Sequence, residues 1–192
     1  MSEPIDILDA SQGGGVHHGA SFSLRHRLYR AVWNIVWLLL AAWTPPPMHG
    51  WRRLLLRLFG AQMGHGAKVY GSARIWYPPN LEMGEYAVLG WKVNCYCQGK
   101  IVLEAYAIVS QFSHLVSGSH DIDAPNFQLY TKPIHIGRRA WVAANAFVGP
   151  GVTIGAGAVL GARGVAFKDL APWTVYAGNP ARAIRARKQI ED

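Results

Sequence analysis

HIGRRAWVAANAFVGPGVTIGAGAVLGARGV, residues 135–165, places an aliphatic side chain at every sixth position: Ile136, Val142, Val148, Ile154 and Leu160. Four positions after each stands a small or short residue: Ala140, Ala146, Val152, Ala158 and Gly164. A period of six is foreign to an amphipathic helix, whose apolar positions recur at three and four. It suits short flat strands joined by tight turns. One such hexad cannot bury its aliphatic residue alone, so successive hexads must stack into a solenoid.

The frame recurs upstream as Met63, Val69, Ile75, then Met83, Leu89, Cys95, then Leu103, Val109, Leu115. Its small partners there run from Ala67 and Ala73 to Ala107, Ser113 and Ser119. Three hexads close one triangular coil. The starts at 63, 83 and 103 lie 20 apart, so each of those coils carries two inserted residues at a corner. The run 136–171 fits two uninterrupted coils, and the expectation is an all-β parallel helix of about five triangular coils. The frame breaks once, because Leu115 to Ile136 spans 21 residues. The surplus reads as a loop over 121–133 (DIDAPNFQLYTKP), opened by His120. An excursion from a regular solenoid beside a histidine is where function is to be sought. His114, one hexad earlier, shares the corner phase of His120 but has no loop beside it.

Outside the repeat, residues 1–24 are polar and Gly-rich and are expected to be mobile. Residues 25–62 hold two basic, Trp-rich helical segments, 63–180 the repeat, and 181–192 a basic tail. Ala31–Trp43 is apolar over 13 positions, too short for the roughly 20 a spanning helix needs. With Arg25, Arg27, Arg30, Trp33, Trp37 and Trp43, the region 25–60 either caps the solenoid or lies against a membrane surface. The net charge of +8 is concentrated in residues 25–57 and 182–188, without the continuous basic, aromatic-rich face of a nucleic-acid binder. Cys95 and Cys97 are poorly spaced for a disulfide within one strand and read as reduced core cysteines of a cytoplasmic protein. No secretory apolar core stands in the first 24 residues.

The segments PIHIGRRAWVAANAFVGPGVTIGAGAVLGARGV and KDLAPWTVYAGNPARAIRAR resemble the hexapeptide-repeat acyltransferases of the galactoside and maltose acetyltransferase type, over residues 63–187. VSGSHDID and the Trp-rich N-terminal helix are more similar to the O-acetyltransferases of bacterial exopolysaccharide synthesis, the colanic acid type. The resemblance implies a left-handed parallel β-helix, a homotrimer with active sites between subunits, and acetyl-CoA as donor. It implies His120 as the general base, a role a neutral imidazole suits. It matches Trp141 to an aromatic beside the CoA channel, Ala143 and Ala162 to small residues admitting backbone amides to pantetheine, and Arg182 and Arg185 to cations near the CoA phosphates. Phe167 departs from the usual threonine. Asn94, Asp121 and Asp123 are the candidate acceptor contacts, the two aspartates being equally good turn initiators.

The expected activity is acetyl transfer to a hydroxyl of a sugar, the acceptor being a sugar or a lipid-linked oligosaccharide at the inner face of the cytoplasmic membrane. N-acetylation, or acetylation of a free or nucleotide-linked sugar, would use the same base. A γ-class carbonic anhydrase shares the fold, but its zinc needs a third histidine ligand that His65, His114, His120 and His135 do not supply in a suitable pattern; no metal is expected. A trimeric scaffold without catalysis would leave the loop histidine and the GNPAR tail without a purpose.

Overall fold

In each hexad of the computed structural model, which describes residues 7–12 and 20–189, the aliphatic residue points inward and its chain neighbours point out. Two- and three-residue strands stack in parallel into three faces. The first holds Gln62–Met63, Leu81–Met83, Ile101–Leu103, Ile134–Ile136 and Thr153–Ile154. The second runs Lys68–Val69, Val88–Leu89, Ile108–Val109, Trp141–Val142, Val159–Leu160 and Thr174–Ala177. The third runs Arg74–Ile75, Asn94–Tyr96, His114–Val116, Phe147–Val148 and Val165–Ala166. Five coils are complete, and Leu170, bridged to Ile154, opens a sixth. The register is the hexad frame itself: Met63 pairs with Met83, Leu89 with Val109, and Val148 with Leu115.

The corners need left-handed backbone. Tyr86, Lys92, Tyr106, Phe112, Arg139, Asn145, Arg163 and Trp173 all sit at φ between 51° and 61°, a region that disfavours residues with a Cβ. Stacking offsets part of that cost, as where the Tyr86 and Tyr106 rings lie 5.4 Å apart and nearly parallel.

A solenoid leaves one coil's carbonyls unpaired at its end, and here the N-terminal helices cover them. Helix α1 (Leu24–Leu40) begins at Ser23, whose hydroxyl caps the His26 amide. Its buried Trp33 and Trp37 donate their indole N–H groups to the carbonyls of Ile75 (2.7 Å) and Gly71 (3.0 Å). Helix α2 (His49–Leu58) runs back beside it and presents arginines. Arg52, fully buried, donates to Val69 (2.6 Å), and Arg53 and Arg57 to the carbonyls of Ala67 and Met63. Five main-chain carbonyls of the first coil thus receive side-chain donors, as buried carbonyls require. The capping role accounts for Trp33, Trp37 and the α2 arginines. No described helix is long and apolar enough to cross a membrane.

Three expectations change. The excursion is a hairpin that starts before residue 121: Gly118–His120 pairs antiparallel with Leu129–Thr131, His120 opposite Leu129. Ser119 is therefore in the hairpin and not at a coil position. Ser117 closes the coil by bonding Gly99 and Tyr96, and buried Gln98 lies so close under Gly118 that a Cβ there would overlap it. The chain leaves the stack directly over Gln98, at a residue without a Cβ. His114 and His120 are consequently not equivalent, since His114 is an outward residue of the third face. Finally, the basic tail is not a free tail. Arg182–Ala186 pairs antiparallel with Thr174–Ala177 and closes the edge of the second face, with a turn at 178–181 between them. Thirteen of the 24 residues expected to be mobile, His17 and His18 among them, fall outside the described residues.

Candidate active site

The hairpin leaves the solenoid at the corner between the third and first faces. That corner carries the two-residue insertions of the coils below, at 76–80 and 97–100. The hairpin is the same corner, further enlarged. Its tip is tied by an Asp121 side chain that accepts the Asp123 amide (3.1 Å) and by an Asp121 amide bonded to Gln128. Asp121 is thus the turn initiator. Both aspartates are exposed at the tip, and neither lines the His120 cavity.

His120 is half-buried and fixed twice. Its ring stacks on Phe127 at 4.4 Å and 10°, and its Nδ1 stands 2.8 Å from the Phe127 carbonyl. A carbonyl only accepts, so Nδ1 carries a proton, and in the neutral ring Nε2 is the nitrogen with the lone pair. This is the tautomer of a base with a single free nitrogen. His120 lines a cavity of about 290 Å³ with Arg27, Arg30, Trp76, Tyr96 and Gln98. A larger one, about 530 Å³, adjoins it through the shared residues Arg30, Trp76 and Tyr96 and reaches Arg74, Asn94 and Trp37. Arg30 lies over the Trp76 ring at 4.1 Å. The result is a groove between α1 and the third face, with an aromatic floor, basic walls and an imidazole at one end.

Asn94 lines the adjoining cavity and not that of His120, and its amide approaches His114 Nδ1 at 3.4 Å. Trp76 and Tyr96 were not singled out by the sequence, and Arg30 only as part of the basic N-terminal segment. Trp76 carried a weak signal, as a large aromatic directly after the inward Ile75 at an enlarged corner.

The residues matched to the donor lie elsewhere. Trp141 is exposed on the second face, donating to Ser110 Oγ (2.8 Å), and with Tyr106, Arg139 and Arg187 it walls a cavity of about 350 Å³. Arg187 is held there by the carbonyls of Arg139 and Gly157 and was also missed. Ala143 is buried at the corner between the second and third faces, and its amide is already bonded to the Leu160 carbonyl. Its own amide is thus taken up within the coil stack. Ala162 is exposed at the same corner one coil above. Arg182 and Arg185 are exposed on the edge strand and line neither cavity. Phe167 is exposed at the end of the third face, its ring 5.5 Å from Phe147. His120 and Trp141 line different cavities. Among the described residues no cluster of His, Cys, Asp and Glu could hold a metal ion.

No protein-family model matches the chain. It is 44% identical over 160 residues to a protein of Escherichia coli K12 named colanic acid biosynthesis acetyltransferase WcaF, covering 83% of this chain and 88% of that one. Galactoside O-acetyltransferase of the same strain is 27% identical over 70% of this chain and 68% of its own length. Among solved structures, a hexapeptide-repeat acetyltransferase of Vibrio cholerae with acetyl-CoA bound superposes with a TM-score of 0.78 at 21% identity, covering 95% of this chain and all of that one. At that identity the likeness shows the left-handed β-helix fold.

Proposed function

The chain belongs to the hexapeptide-repeat acetyltransferases of the colanic acid biosynthesis WcaF kind, and from that premise we propose that it moves an acetyl group from acetyl-CoA to a hydroxyl of a sugar in exopolysaccharide synthesis. The observation that carries the reading is the fixed tautomer of His120 at the end of an aromatic, basic groove. Nε2 takes the hydroxyl proton as the oxygen bonds to the thioester carbonyl carbon. The proton passes to sulfur as the C–S bond breaks. No covalent enzyme intermediate is needed.

The groove suits a glycosyl acceptor that bears phosphate. Trp76 offers a flat apolar surface to a sugar ring, and Arg27, Arg30 and Arg74 offer charge and forked donors to phosphate oxygens. A lipid-linked sugar pyrophosphate at the inner face of the cytoplasmic membrane has this chemistry. For the donor, the Tyr106 and Trp141 rings suit an adenine, and Arg139 and Arg187 its phosphates. Arg182 and Arg185 add charge along the neighbouring edge. Because the His120 groove lies beside the third face and Trp141 on the second, we place the reaction between copies of a homotrimer.

Incubation with acetyl-CoA and a lipid-linked or soluble glycoside should release free thiol and add one acetyl mass to the acceptor. Thiol release without acetylated acceptor would reject the sugar reading. Acetylation at nitrogen only, read by alkali-stable product, would replace it with N-transfer.

A further inference from the structure

The capping role uses one side of α1 and leaves the opposite side apolar. Trp33, Trp37 and Ala41 face the first coil. Leu24, Leu28, Val32, Ile35 and Leu39 fall on the far side at helical spacing and stand exposed, Leu24 at 65% and Ile35 at 58%. Helix α2 lies across the same coil end and repeats the arrangement. Its Arg52, Leu55 and Leu56 are buried, while Trp51, Leu54 and Leu58 are exposed. The patch is continuous, because Trp51 donates its indole N–H to the Leu40 carbonyl and Trp43, 72% exposed, to that of Leu39. Soluble proteins rarely expose so large a contiguous apolar surface without a partner.

Charge identifies that partner. Between Asp9 and Glu82 there is no acidic residue, and eight Lys and Arg fall there. The remaining eleven equal the chain's eleven acids in number, so residues 10–81, which build this end of the solenoid, carry +8 with no acidic residue among them. Arg25 and Arg27 flank the leucine stripe on either side and are exposed. A face-to-face second copy would oppose cation to cation with no carboxylate from this region to offset them. Side-by-side association through the flanks of the coils would leave an end face open.

We propose that α1 and α2 dock this end of the solenoid onto an anionic lipid bilayer. The leucine stripe lies in the plane of the membrane, Trp43 and Trp51 stand at its boundary, and Arg25 and Arg27 reach headgroup phosphates. The helices therefore have two partners, the first coil above and lipid below. The docking rests on this face alone, whereas its purpose rests on the acceptor reading. The His120 groove opens between α1 and the third face, so a sugar held by a lipid pyrophosphate would enter beside the membrane.

The test is co-sedimentation of the full chain with vesicles. Phosphatidylcholine vesicles with about 30 mol% phosphatidylglycerol are compared with phosphatidylcholine alone, each in about 0.1 M and about 0.5 M salt. Strong binding to the anionic vesicles, weakened by salt, is expected. Leu28→Asp/Ile35→Asp/Leu39→Asp should lower the partition coefficient at least about tenfold while retaining its melting temperature and its turnover of a soluble acceptor. Arg25→Glu should lower binding and blunt its salt dependence. A parent chain that ignores anionic vesicles, or a triple variant that binds as well as the parent, overturns the proposal. So does a higher-order assembly lost only in the triple variant without vesicle binding, which would assign the face to a second copy. Vesicle binding without any sugar acetylation would instead reject the proposed reaction and leave the docking standing.

Discussion

Replacing Arg52 with methionine should loosen the whole N-terminal cap. The guanidinium is fully buried and donates to Val69 (2.6 Å), to the Thr44 hydroxyl (2.6 Å) and carbonyl (3.2 Å), and to Pro45 (3.1 Å) and Pro46 (2.7 Å). Methionine fills the aliphatic volume and supplies no donor. Water can reach the partly exposed proline carbonyls, but Val69 and Thr44 lie deeper. Val69 keeps the His49 ring N–H (2.9 Å), so the two Thr44 oxygens are the groups left poorly satisfied, at about 1–3 kcal/mol each. Part of that is offset, because the variant no longer desolvates a cation. A net loss of about 3 kcal/mol follows, or a melting temperature lower by roughly 6–12 °C for a chain of this size. Arg53, half-buried with a bond to Ala67, is the internal control, and Arg53→Met should cost about 1 kcal/mol. Calorimetry of the two variants beside the parent reads the difference directly. An Arg52→Met protein that melts within about 2 °C of the parent would refute the claim that the first coil needs these side-chain donors.

Three other perturbations separate roles within the site. Gly118→Ala sets a Cβ against the Gln98 side chain and should displace the hairpin base, lowering turnover about tenfold or more at nearly unchanged melting temperature; unchanged kinetics would show the hairpin to be compliant. Asp121→Asn keeps an oxygen for the Asp123 amide and should retain activity, while Asp121→Ala loses it, the pattern of a turn and not of a charge that reads sugar. His49 is pushed below the usual histidine value by burial first, and then by Arg52, Lys68 and Arg53, against a raising bond to Val69. The unfolded chain then binds the proton first, so stability is held above about pH 6.5 and declines as pH falls below it. Melting temperatures at pH 7 and pH 5 should converge in His49→Gln; an equal drop in parent and variant would contradict this.

The hexad frame was legible because a solenoid repeats one local decision, an inward aliphatic residue followed by a small one. Each position from Met63 to Leu160 could be checked against its neighbours. The hairpin was placed three residues late, since Ser119 satisfies the small-residue slot in sequence while the chain already leaves the stack at Gly118, over Gln98 of the coil below. The groove was hidden for a related reason. Arg30 comes from α1 and Trp76 and Tyr96 from two different coils, and only the docking of α1 through Trp33 and Trp37 brings them beside His120. Arg27 and Arg30 could be read only as part of a basic segment. Likewise Ala143 gave no hint that its amide is consumed by Leu160. That pairing follows from stacking and not from composition. His120 itself was marked because it stands where the repeat breaks.

In the proposed reaction Nε2 of His120, the basic nitrogen of the neutral ring when Nδ1 donates to Phe127, removes the acceptor proton. Thiol release from acetyl-CoA at saturating acceptor, measured for the parent and for His120→Ala, tests it most directly. The account predicts a fall in kcat of about 10²–10⁴, with KM for acetyl-CoA and melting temperature little changed. A variant that turns over within about threefold of the parent, less than any general base contributes, would contradict it.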